Sequence, residues 1–133
     1  MSQSNVDLVS VLYAAFGRGD VPALLTMLDE QIEWHAPPNL PHGGDFRGRE
    51  AVGGFFQGIG EHWESLEVDV EALVASGDRV VALASARGRL RASGEEAAYS
   101  AAHAWTIVDG RPVRFDEYVN APLTLPAAHA VTG

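Results

Sequence analysis

Residues 98–120, AYSAAHAWTIVDGRPVRFDEYVN, decide how this chain is read. Two β-prone runs flank the turn signal Asp109-Gly110, so the stretch is expected to form a hairpin. A three-residue loop Val108-Asp109-Gly110, a type I turn with Gly110 as the bulge residue, pairs Ile107 with Arg111, Trp105 with Val113, His103 with Phe115 and Ala101 with Glu117. Strand side chains alternate with period two. Ala101, His103, Trp105, Ile107, Val113, Phe115, Glu117 and Val119 then share one face. That face resembles a core, yet it carries an imidazole and a carboxylate as diagonal neighbours. A carboxylate among Trp and Phe is costly unless it is paired, protonated or useful, so function is sought here. A two-residue Asp109-Gly110 loop instead sets His103 with Arg114 and Asp116 and separates the pair.

The alternation extends upstream. Leu66, Val68, Val70, Ala72 and Val74 alternate with Glu67, Asp69 and Glu71, which predicts a strand with one buried and one wet face. Ser76-Gly77-Asp78 turns the chain into a strand over 79–92, and Ser93-Gly94-Glu95 turns it into the last hairpin. Here too a turn decides one side chain. A two-residue Gly77-Asp78 loop puts Ser85 and Arg87 inside, on the face of Val68 and Val70. A three-residue loop puts Arg87 at the surface opposite Glu67 and Asp69.

Before Ser65 the period is helical. Leu8, Val9, Val11, Leu12, Tyr13, Ala15 and Phe16 predict an amphipathic helix over 4–17, ended by Gly17. Asp20 is a good N-cap for a second helix, with Val21-Pro22 in its first turn and Leu24, Leu25 and Leu28 as its buried stripe. Residues 31–36 form a short strand stopped by Pro37-Pro38, and 39–48 a loop dense in Gly and Pro. A third helix over 49–63 buries Val52, Phe55, Phe56, Ile59 and Trp63. Gly53, Gly54, Gly58 and Gly60 each weaken it by up to about 1 kcal/mol, so packing must hold it. This order predicts an α+β domain in which three N-terminal helices cover a curved antiparallel sheet. It forms one domain over 1–133, with its core in 5–120 and a fraying tail over 121–133.

Composition narrows the chemistry. The 133 residues contain no cysteine, which removes disulfides, thiolate nucleophiles and zinc-cysteine sites. The nine basic residues are all Arg, so Schiff-base chemistry and covalent pyridoxal phosphate are excluded. A net charge of −9 and a pI near 4.8 argue against a nucleic-acid partner. No apolar run approaches the roughly 18 residues of a membrane span. The N-terminus lacks the order of a signal peptide, and the chain is expected to be cytoplasmic. His35, His42, His62, His103 and His129 lack metal-ligand spacing, so no metal is expected. No Gly-rich loop has the pattern or context for nucleotides, and no Ser lies in a nucleophile elbow.

The pieces LYAAFGRGD (12–20), IEWHAPP (32–38), FRGREAV (46–52), SGDRVVALASARGRL (76–90) and AHAWTIVDGRPVRFDEYVN (102–120) occur in an order that resembles the nuclear transport factor 2-like superfamily. Within it, the chain looks like the SnoaL-like group of polyketide cyclases and their relatives. The resemblance implies a cone-shaped, cystatin-like α+β barrel open at one end, an apolar pocket between sheet and helices, and usually a homodimer through the outer sheet face. SnoaL-type cyclases place a His and an acid on the last two strands for acid–base ring closure without a cofactor. That implies roles for His103 and Glu117, with Glu standing where the family has Asp. The epoxide-hydrolase branch pairs its acid with Arg-x-Asp, but here the triplet is Ser85-Ala86-Arg87 and the Asp is missing. Ketosteroid isomerases use a Tyr, for which Tyr13 could answer, but Ala36 stands near their base.

Proton abstraction beside a carbonyl needs a desolvated base and a donor for the developing enolate oxygen. Glu117 is the candidate base, and His103, Arg87 or Tyr13 the candidate donor. Tyr13, Trp34, His35, Phe55, Trp63, Trp105 and Phe115 are candidate pocket residues. Two functions fit: a cofactor-independent isomerase, cyclase or hydratase acting on a hydrophobic small molecule, or a non-catalytic ligand-binding or dimeric accessory protein of the same fold.

Overall fold

A computed structural model describes residues 2–120. The tail expected over 121–133 lies outside them. The first helix, α1 (Ser2–Gly17), buries Val9, Leu12 and Ala15 at three-residue spacing. Asp20 then caps α2 (Val21–Met27), its side chain accepting from the Ala23 N–H at 3.2 Å, with Pro22 in the first turn. The third helix, α3 (Arg49–His62), turns Val52 and Phe55 inward. No helix among the described residues is long and apolar enough to cross a membrane.

Six strands form one sheet: β1 (Glu33–Ala36), β2 (Gly44–Arg47), β3 (Trp63–Ser76), β4 (Arg79–Leu90), β5 (Glu96–Val108) and β6 (Arg111–Asn120), in the order β2-β1-β6-β5-β4-β3. Three helices and a curved, unclosed sheet make this an α+β fold; the barrel does not close, and β2 and β3 remain at the two edges. The expected 39–48 loop contains β2. Its four residues are too few to show a period, and the strand forms because β1 offers an edge and Phe46 packs on Phe55 at 5.5 Å. The sheet is mixed, since β1 pairs in parallel with β6 and sets Trp34 beside Phe115. Those two rings stack 4.0 Å apart in the core beneath the helices.

The final hairpin corrects the expected register. Asp109 (φ 50°) and Gly110 (φ 76°) form a two-residue turn with both residues left-handed, so Val108 faces Arg111 and Ile107 faces Pro112. A bulge then leaves Val113 as the extra residue, and Thr106 faces Arg114. Pro112 has no N–H to give to a ladder, and its carbonyl accepts from the Asp29 N–H at 2.9 Å instead. Beyond the bulge Trp105 faces Phe115, Ala101 faces Val119, and His103 lies directly opposite Glu117 rather than diagonal to it. The tight turn therefore does not separate the pair.

The same device operates between β3 and β4 with the opposite result. Gly77-Asp78 is a two-residue turn, Ser76 facing Arg79, but Glu71 is bulged out between Val70 and Ala72. A one-residue shift moves every later side chain to the other face. Val68 consequently faces Ala86, and Glu67 faces Arg87. The inward reading of Arg87 is overturned.

Candidate functional site

The register of β5 and β6 brings His103 Nε2 to 2.9 Å from Glu117 Oε2, with the two side chains only 9% and 6% exposed. From α1, Tyr13 reaches over the sheet; its Oη lies 2.5 Å from His103 Nδ1, and its ring stacks on the imidazole. Trp105 Nε1 lies 3.1 Å from the same Tyr13 oxygen. The donors can be ordered. An indole N–H can only donate, so Tyr13 Oη accepts from Trp105. The phenolic proton then goes to His103 Nδ1, and the imidazole carries its proton on Nε2, where it donates to Glu117. This tautomer is assigned from the network. Burial pushes the Tyr13 phenol up from its ordinary pKa; the Trp105 hydrogen bond opposes this and the Glu117 charge adds to it. Tyr13 thus keeps the proton that the chain needs.

These groups border an apolar cavity of about 60 Å³. One water needs roughly 10–15 Å³ of such space, whereas sites for drug-sized ligands run to roughly 300–1,000 Å³. The cavity takes a few waters or a small organic molecule without rearrangement. Tyr13, Trp34, Phe55, Trp105 and Phe115, all expected at the pocket, line it together with His103 and Glu117. Trp34 is 2% exposed and its indole N–H has no hydrogen-bond partner among the described residues.

Three expected residues lie elsewhere. His35 follows the inward Trp34 on β1 and takes the other face, its Nδ1 2.7 Å from Asp45 and its Nε2 3.8 Å from Glu33. Trp63 is buried but does not border the cavity; it donates its Nε1–H to His42 Nδ1 at 3.0 Å. Arg87 stands on the outer face, 70% exposed and 3.5 Å from Glu67, so it cannot serve the chemistry of the cavity.

Two polar residues of the lining were missed. Tyr99 shares the face of Ala101 and His103, so one more step of the same alternation would have found it. Burial, and then the Glu117 charge, push its phenol up. His42 sits in the β1–β2 loop, where no period could point to it. Burial pulls its imidazole down to about 4, opposed by Glu117 and aided by His62.

Residues 9–115 match the SnoaL-like domain family, and the chain belongs to it. Solved structures of two NTF2-like proteins are similar throughout. That from Burkholderia pseudomallei K96243, of unknown function, is 27% identical with a TM-score of 0.85, covering 100% of both chains. That from Burkholderia xenovorans LB400 is 30% identical with a TM-score of 0.81, over 96% of this chain and 97% of its own. TerC, co-crystallised with polyporic acid, is 22% identical with a TM-score of 0.81 over 98% and 99%, which shows the shared fold. No functionally curated protein matches the chain.

Proposed function

We propose that this protein is a cofactor-independent acid–base enzyme, of isomerase, cyclase or hydratase type, acting on a hydrophobic small molecule in the cavity. The observation that carries the reading is the buried Glu117, held on one side and free on the other. Its Oε2 is bonded by His103, whereas its Oε1 has no hydrogen-bond partner among the described residues. Oε1 takes a proton from the carbon next to a carbonyl. The C–H electron pair moves into the enolate and its charge onto the carbonyl oxygen. Return of the proton to the γ-carbon of a β,γ-unsaturated substrate isomerises it, whereas attack of the enolate carbon on a second carbonyl closes a ring, and the alkoxide so formed takes the proton back from Glu117. His103 has both nitrogens engaged and serves as a positioning residue, with Tyr13 and Trp105 fixing its ring. Arg87 has no part in this. The co-crystallisation of TerC with a small organic molecule supports a ligand in this fold.

Exchange of the α-hydrogens of cyclohexanone in D₂O, followed by NMR, isolates the first step whatever the natural substrate. Exchange should be accelerated by the wild type and should fall by about 10²–10⁴-fold in Glu117→Gln. Equal rates would remove Glu117 from the mechanism. No acceleration at all would leave the non-catalytic binding protein as the better reading. A cytoplasmic homodimer remains part of the proposal: exposed Leu83, Val74 and Tyr118 lie on the sheet face away from the helices. Sedimentation should then return about twice the 14.2 kDa of one chain.

A further inference from the structure

The cavity contains a neutral donor that the acid–base reading leaves unused. We infer that His42 is a catalytic hydrogen-bond donor, its Nε2–H receiving the carbonyl oxygen of an uncharged substrate whose α-carbon lies at Glu117. The inference rests on the reading of Glu117 as base and names the group that completes it, together with the class of substrate.

The loop before β2 is built to bring His42 inward. Leu40 N–H bonds Pro37 O at 3.1 Å and Gly43 N–H bonds Leu40 O at 3.0 Å, closing the chain on itself. A Cβ at Gly43 would stand 1.8 Å from the Pro37 oxygen, so only glycine permits this closure. Between Leu40 and Gly43, His42 is 5% exposed, with its ring against Phe55 and Trp63. Trp63 then settles the tautomer. Its indole N–H can only donate, so His42 Nδ1 must accept and the ring proton must be on Nε2. Among the described residues Nε2 has no hydrogen-bond partner, although His42 borders the same cavity as Glu117 and feels its charge. His42 lines the cavity, and a carbonyl oxygen there would supply its N–H with an acceptor.

Charge selects the substrate. The lining contains no Arg, and the Glu117 carboxylate would repel an anion. A cationic His42 would pair with that carboxylate and hold the base down. Burial keeps the imidazole neutral to about pH 4, so it donates without quenching its neighbour. An uncharged ketone or aldehyde meets a base on one side and a neutral donor on the other. Negative charge built up on its oxygen is then stabilised where it forms.

The test uses the ¹⁵N-histidine-labelled protein and [1-¹³C]cyclohexanone. The His42 nitrogens should report an Nε2–H tautomer at pH 7; an Nδ1–H tautomer would overturn the assignment without any ligand. At saturation the carbonyl carbon should move downfield in the wild type, in Glu117→Gln and in Tyr99→Phe, and lose most of that shift in His42→Phe. α-Exchange should fall about 10²-fold in His42→Phe. His42→Gln, which keeps an N–H, should recover part of both and guards against simple misfolding. A shift that survives in His42→Phe, disappears in Tyr99→Phe, or is absent from the wild type overturns the inference. If instead the shift follows His42 while exchange ignores Glu117→Gln, the donor stands and the base assignment falls.

Discussion

The two long hairpins are built alike and end unlike. Each turns in two residues, Gly77-Asp78 and Asp109-Gly110, and each has a bulge a few residues on, at Glu71 and at Val113. Each then sets a carboxylate directly opposite a basic side chain. Glu67 and Arg87 are 67% and 70% exposed, whereas Glu117 and His103 are 6% and 9% exposed. An exposed pair of this kind contributes about 0–1 kcal/mol, while leaving half of a buried pair behind costs about 3–5 kcal/mol. One bulge carries a guanidinium into water, and the other keeps an acid under the helices. Turn chemistry is therefore not what makes a site here; the face that the bulge hands to the helices is.

The contrast should break most severely at the buried pair itself. His103→Leu leaves Glu117 buried beside a hydrocarbon and removes the acceptor of the Tyr13 proton, which should cost about 3 kcal/mol at pH 7. Adding Glu117→Leu should restore part of that loss, because the uncompensated charge goes with it. If the single change shifts the unfolding midpoint no more than an exposed substitution does, the pair is not desolvated and the contrast with Glu67–Arg87 fails.

His42 gives a smaller, pH-dependent effect. Its folded pKa, about 4, lies below the unfolded value near 6.5, so the unfolded chain binds the extra proton first. The resulting stability is whole above pH 6.5 and is lost as pH falls toward 4, on the order of 2 kcal/mol by pH 4.5. Urea unfolding of the wild type and His42→Gln at pH 7 and 4.5 should show that much less acid sensitivity in the variant.

Elements with many repeats of one period were legible in the sequence. The alternation of Leu66, Val68 and Val70 and the helical spacing of Val9, Leu12 and Ala15 reflect burial of one face, which several residues report together. The same alternation misplaced Ala72 and Val74, because beyond the bulge at Glu71 it is Leu73 and Ala75 that turn inward and Val74 is 55% exposed. His103 and Glu117 stood out because a charge on such a face is anomalous. What escaped depends on single residues or on distant partners. The bulges at Glu71 and Val113 shift register without altering composition, β2 exists only because β1 offers an edge, and His42 is turned inward by a glycine's contact with the Pro37 carbonyl. The register of the last hairpin was misread at the turn, yet the face survived because the extra residue was displaced from the turn into β6. The same reasoning at Gly77-Asp78 failed because the second bulge could not be seen.

The smallest effect tests the other half of the comparison. Arg87→Gln removes a guanidinium that, among the described residues, pairs with Glu67 at 3.5 Å across the outer face. Water screens that pair in both folded and unfolded chains, so stability should change by less than about 0.5 kcal/mol and the difference should vanish in 1 M salt. α-Exchange should be unchanged at every pH, because the residue never meets the cavity. A tenfold fall in exchange would mean that Arg87 reaches the substrate after all. The bulge at Glu71 would then be absent from the working protein, and the two hairpins would differ in register rather than in which face they bury.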